Sequence, residues 1–128
     1  MTQQNRAKHA PGFDEYPGYT VTREPISEEV VVRVGEVELC RSSDAIWVQE
    51  SKHKPALYLP RADVPAALLE DSATSTYCPF KGTASYHSAL GVSDVLWYYP
   101  EPYVEVDYLV DYVGLYQDRV SSITFGGV

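Results

Sequence analysis

The twelve residues Tyr77–Ser88, YCPFKGTASYHS, bring a thiol, an amine, two phenols and an imidazole into one Pro/Gly frame. Lys81, set on a turn between Phe80 and Gly82, is a candidate base, Schiff-base nucleophile or anion anchor if its head is partly desolvated. The alternative is a stem that covers Phe80 while the head stays in water. Cys78 precedes Pro79 and has the cation of Lys81 three residues away, the setting of a reactive thiolate; the alternative is a small buried hydrophobe. His87 and His53 are the available bases. On a strand Tyr86 and His87 point to opposite faces, so only one of them can face a pocket, and a satisfied surface histidine is the simpler reading of His87. His53 lies in the charged link SKHKP and reads as solvent-exposed, and Cys40 at a strand end reads as structural.

A second aromatic cluster, WYYPEP around Trp97 and Tyr99, follows closely enough to fold back beside the first and wall a pocket. The three histidines, His9, His53 and His87, are scattered, and no HxH, HExxH or DxDxDG spacing occurs, so no metal site and no cofactor is expected. A Walker loop, a GxGxxG turn and a GxSxG elbow are also missing. Phosphate chemistry would rest on isolated residues such as Arg61, Lys81 and Arg119.

Short strands must position these groups. Val30–Val34, a Gly35-Glu36 turn and Val37–Cys40 read as a hairpin between β-branched runs. Residues 45–50, 56–59, 66–70, 76–80, 84–90 and 94–99 read as further strands, with Gly82 and Gly91 in turns and residues 60–65 as a proline-bounded turn. Close spacing of so many strands predicts a mostly β, antiparallel fold. One α-helix is predicted over 102–112, from Pro102 in the first turn, Glu101 and Glu105 at its positive end, and Val104, Tyr108 and Tyr112 at four-residue spacing. Gly114 would end it, and residues 119–125 return as a last strand. Residues 1–20 read as an irregular arm anchored by Tyr16 and Tyr19, and 21–128 as a single β-rich domain.

At 128 residues the chain fits one domain that buries roughly two-thirds of its extended-chain surface. Eighteen acidic against ten basic residues give a net charge of −8, which repels phosphate backbones and anionic lipid, so neither nucleic acid nor membrane is an expected partner. No apolar run reaches the length of about 20 residues that spans a bilayer, and MTQQNRAKHA has no secretory core. Two cysteines outside any CxxC pair fit a reducing compartment, and a cytoplasmic location is expected. Eleven tyrosines against three phenylalanines point to a polar pocket or a self-association surface, because a buried phenol needs a partner.

The ordered set Pro60-Arg61, Asp63-Val64, Leu68-Leu69, Thr76, Cys78-Pro79, Lys81-Gly82, Ala84-Ser85-Tyr86, Trp97, Tyr99, Pro102, Tyr116 and Asp118-Arg119-Val120 resembles the domain of unknown function 427 family of bacteria and fungi. Ser43, Ala45, Glu50, His53, Pro55 and Tyr58 fit upstream, so the resemblance runs over roughly residues 22 to 121. It implies an Mss4-like β-tent, the fold also used by methionine sulfoxide reductase B and by the thalidomide-binding domain of cereblon, with an aromatic-walled pocket on the sheet. The CxxC pairs of the zinc-binding branches are absent, so their metal and redox chemistry do not carry over. A nucleotidyltransferase label sometimes given to the family finds no paired metal-binding carboxylates here.

The leading expectation is therefore a small-molecule site. Tyr58, Tyr86, Trp97, Tyr99 and Cys78 would line it, Lys81 and Arg61 would hold an anionic or carbonyl group, and Lys81 and Glu50 would carry acid–base catalysis. The alternative is a non-catalytic module that binds a peptide or protein on the same aromatic surface. A third reading is a homodimer through the tyrosine-rich stretch Tyr103–Tyr116.

Overall fold

The computed structural model describes residues 8–126; residues 1–7 of the expected arm and 127–128 of the expected domain lie outside the described residues. Among the described residues ten strands form two antiparallel sheets. They are β1 (Val21–Pro25), β2 (Val30–Val34), β3 (Val37–Ser42), β4 (Ile46–Glu50), β5 (Ala56–Pro60), β6 (Leu69–Cys78), β7 (Gly82–Ala89), β8 (Val92–Tyr98), β9 (Tyr112–Leu115) and β10 (Ser122–Phe125). The larger sheet has the order β1-β4-β5-β9-β8-β7-β6 and the smaller one β10-β2-β3. No helix among the described residues is long and apolar enough to cross a membrane.

Alternation along the central strands explains the layering. In β5, Leu57 and Leu59 point to one face and Tyr58 to the other, and all three are buried. The leucine face packs with Leu96, Val113 and Leu115 against Val30, Val32, Leu39 and Cys40 of the smaller sheet. Each such aliphatic side chain contributes about 1.5–3 kcal/mol by leaving water. The opposite face carries Ile46, Val48, Tyr58, Ala84, Tyr86 and Tyr99, and is closed over by Val106 and Leu109.

Three expectations are corrected. The α-helix predicted over 102–112 is a run of 3-10 turns, Val104–Asp111, broken at Val106 (φ −131°), and the chain then extends into β9. Three of the eight residues in this run are valines, which are stiff at χ1 and disfavour α-helix, and two are aspartates, which compete for backbone bonds. Gly114, expected as a helix stop, sits within β9 because the Trp97 ring lies on it: a Cβ at position 114 would fall 2.2 Å from that ring. The strands expected at 66–70 and 76–80 are one strand, β6, preceded by a 3-10 turn at Ala66–Leu68 and interrupted by a register shift between Asp71 and Ser75. There the Ser72 hydroxyl accepts from the Thr74 amide (3.1 Å). Strand β1 was not foreseen: its mostly exposed VTREP has no apolar alternation, and pairing with β4 holds it in place.

Gly114→Ala should destabilise the fold by about 1–3 kcal/mol, because the added methyl has to displace a packed indole. Urea denaturation checks the loss, and tryptophan emission should shift with it; an unchanged midpoint would mean that Trp97 does not occupy this position.

Candidate functional site

The turn from β6 to β7 is built by CPFKG. The Lys81 amide donates to the Cys78 carbonyl (3.2 Å), and Gly82 leaves the turn at φ +118°, a conformation that side chains rarely adopt. The Lys81 carbonyl accepts from Tyr103 N–H (3.0 Å), which fixes the turn to the segment before the 3-10 run. Lys81 is thereby directed inward and is 5% exposed. Its ammonium is ion-paired with the Glu50 carboxylate. Glu50 ends β4 on the face that Ile46 and Val48 bury, two and four residues back, so strand period alone delivers a carboxylate to the aromatic side of the sheet.

The second Glu50 oxygen accepts from the Tyr19 hydroxyl. The Tyr19 ring stacks on Phe80 (3.8 Å between centroids, 11°), and Phe13 meets the same ring edge-on (5.1 Å, 71°). Residues 8–19, in which Gly12–Glu15 make a single helical turn (α1), thus run across the Lys81 turn as a strap. Gly12 N–H donates to the Pro79 carbonyl (2.9 Å), Val104 N–H to the Lys8 carbonyl (2.8 Å) and Ala10 N–H to Glu105 (2.9 Å). His9 joins Asp14 (2.9 Å) to Glu105. Burial, and then the Glu50 carboxylate, push the Tyr19 phenol far above its ordinary range, so it remains a neutral donor.

Beside this network the expected wall residues form a continuous layer. Trp97 Nε1–H donates to the Tyr58 hydroxyl (3.0 Å), with the rings edge-to-face at 5.6 Å. Tyr116 lies between Trp97 (4.7 Å) and a parallel Tyr86 (6.5 Å), whose hydroxyl bonds Thr76 (2.9 Å). Burial raises the phenols of Tyr58 and Tyr99 well above their usual range, and the Glu50 charge adds to it in both. Half-buried Cys78 shares the face of β6 with Thr76, next to this layer. These rings pack on one another. An open groove of about 460 Å³ lies elsewhere, between Glu24, Trp47, Gln49, Lys54, Pro55 and Gln117.

The structure therefore brings together Lys81, Glu50, Tyr58, Tyr86, Trp97, Tyr99 and Cys78, and it separates Arg61 from them. Arg61 stacks over Tyr98 (4.4 Å) with Nη1 3.5 Å from His87 Nε2, on the other face of the sheet. His87 is not a satisfied surface histidine: it is 7% exposed and its Nδ1 has no hydrogen-bond partner. Cys40 lies in the inter-sheet core, where burial pushes its thiol up to about 12, as its structural reading requires. Arg119 is used internally, stacking on Tyr116 (4.3 Å) and donating to the carbonyls of Ser93 and Asp94 (3.2 and 3.1 Å). Among the described residues no three His, Cys, Asp or Glu side chains are placed to hold a metal ion. Tyr19 is the member that sequence reading passed over; its signal was a phenol just after the Pro17-Gly18 turn, noted only as an anchor.

The sequence matches the family described as a domain of unknown function (DUF427) over residues 22–126. The chain belongs to the DUF427 family. No curated protein matches it. Each candidate residue, from Glu50 to Tyr99, lies inside the matched region of this DUF427 chain, whereas the strap that carries Tyr19 lies before it.

Lys81→Met should cost about 3–5 kcal/mol, because it leaves the partly buried Glu50 carboxylate without its cation. Lys81→Met combined with Glu50→Gln should recover most of that loss, since no charge is then left unpaired; a loss in the double variant equal to the sum of the two single losses in a denaturation series would show that the groups do not interact. The strap should also respond to pH. The Asp14 bond and the nearby Glu105 raise His9 above its ordinary 6.5, against a smaller opposing effect of desolvation. A raised folded value means that the His9 anchor is fully present below about 6.5 and is lost as pH rises through that higher value. Amide exchange in residues 9–19, corrected for intrinsic rate, should speed up across that interval, and His9→Gln should abolish the step.

Proposed function

We propose that this DUF427 protein binds a small anionic or carbonyl-containing molecule at Lys81, beneath the N-terminal strap. The observation that carries the reading is a buried ammonium held by a partly buried carboxylate and phenol in one hydrogen-bonded cluster on a face otherwise filled by aromatic rings. Burying such a cluster stabilises a fold no better than apolar side chains of similar volume would, so stability alone does not account for it. Displacing Tyr19 from Glu50 would open the cluster to a ligand. An anion would then take over the Lys81 ammonium. A carbonyl compound would use the pair differently: Glu50 accepts a proton from Lys81, and the neutral amine adds to the carbonyl carbon, losing water to form an imine. Tyr58, Tyr86, Trp97 and Tyr99 would supply the neutral wall, and Cys78 its edge. The two antiparallel sheets around an apolar core support the Mss4-like β-tent comparison, and two unpaired cysteines, Cys40 and Cys78, support a cytoplasmic setting.

The test is a thermal-shift screen of organic anions and carbonyl compounds on the native protein and on the Lys81→Met/Glu50→Gln protein, which keeps a neutral core. A compound that raises the native Tm and leaves the double variant unmoved supports the site, and borohydride trapping on Lys81 would mark a carbonyl ligand. Equal shifts in both proteins, or none across the library, would overturn it in favour of a partner-binding module.

A further inference from the structure

On the opposite face of the larger sheet, Arg61, His87 and Tyr98 form a second polar cluster that the Lys81 site does not use. Arg61 follows β5 at the start of a 3-10 turn (Arg61–Asp63), and its guanidinium lies flat over the Tyr98 ring, 4.4 Å from the centroid. The His87 ring also stacks on Tyr98, nearly parallel (4.5 Å, 14°). Arg61 Nη1–H points at His87 Nε2 (3.5 Å), so the two polar ends meet beside the Tyr98 ring on which both side chains stack.

Within this cluster Arg61 lacks a counter-charge. Among the described residues no carboxylate lies within ion-pair distance of Arg61, although the chain carries 18 acidic residues against 10 basic ones. Asp63, two residues on, instead accepts from the Ser42 hydroxyl (2.6 Å). A guanidinium has five N–H donors in a planar fork, and stacking on a ring satisfies none of them. His87 is more than nine-tenths buried, and its Nδ1 has no hydrogen-bond partner; the nearest charged group there is the Asp71 carboxylate, 3.3 Å away on an otherwise exposed side chain. Burial and the Arg61 charge hold the imidazole below its ordinary range, outweighing Asp71, so the ring is neutral at pH 7.

We propose that Arg61 and His87 form an oxyanion site for a phosphate group, with the guanidinium fork on one oxygen edge and His87 Nε2–H on a third oxygen. An arriving dianion supplies the missing counter-charge and favours protonation of His87. Nδ1–H then faces Asp71, and Nε2–H turns from the guanidinium to the ligand. The site lies on the other face of the sheet from Lys81, so this proposal and the Lys81 reading stand or fall separately.

The experiment follows the three imidazoles, His9, His53 and His87, by NMR during addition of inorganic phosphate or glycerol 2-phosphate, with chloride at matched ionic strength as the reference. The expected result is a saturable upward shift of the His87 titration midpoint, with His9 and His53 unmoved. Binding should weaken as pH rises through the His87 midpoint of the complex. Arg61→Gln should weaken phosphate binding roughly tenfold or more, and His87→Gln, which keeps a neutral donor, should remove most of the pH dependence while some affinity persists. A response to glycerol 2-phosphate alone would assign the site to a phosphomonoester, and a response to both would assign it to the phosphate group itself. Equal drift of all three histidines, no saturation, or an undiminished response in a folded Arg61→Gln protein would overturn the proposal.

Discussion

Burial of both faces of β5, β8 and β9 is the constraint on which the molecule depends. A strand covered on both sides must offer apolar groups at every position, and this chain meets that demand asymmetrically. Leu57, Leu59, Leu96, Val113 and Leu115 serve one face, while Tyr58, Trp97 and the bare backbone of Gly114 serve the other. Where these leucines and valines lie the face can be closed by another sheet, because none of their side chains needs a hydrogen-bond partner. The aromatic face carries phenols and an indole N–H that do need partners: Trp97 finds the Tyr58 hydroxyl and Tyr86 finds Thr76, whereas the buried Tyr108 hydroxyl has none.

That difference decides where polar chemistry can be buried. A carboxylate at the end of β4 and a lysine at the head of β7 would be intolerable in the leucine layer. Beside the tyrosines they pair with each other and with Tyr19, so each charge has a partner and the carboxylate has two. The strap is held largely by contacts to that region, to the Pro79 carbonyl, to Phe80 and to Glu105, and it makes the cluster a closed one.

The sheet also divides the molecule electrically. Tyr86 and His87 are adjacent in sequence and belong to different clusters, as do Trp97 and Tyr98, because successive side chains of a strand face opposite ways. Two cations that sequence reading placed around one ligand, Arg61 and Lys81, are kept apart for this reason: Arg61 joins the His87 and Tyr98 side, and Lys81 the Tyr86 and Trp97 side.

Most strands were legible from the sequence, because period-two patterning and Gly or Pro punctuation are local properties; β2, β3, β4, β5, β7 and β8 begin and end near where their residues say. Lys81 stood out in CPFKGTASYHS by residue type and Glu50 by the family resemblance, and the pairing of the two was not written in either. Tertiary structure alone decided the rest. Valine spacing that suits a helix became 3-10 turns and a strand, because Gly114 was needed under Trp97 and Tyr112–Leu115 paired with β5 and β8. The edge strand β1 and the contact of Tyr19 with Glu50 join residues 21 to 31 positions apart. Such long-range pairings have no local periodicity to announce them, and which charges would meet was set only when the sheets closed.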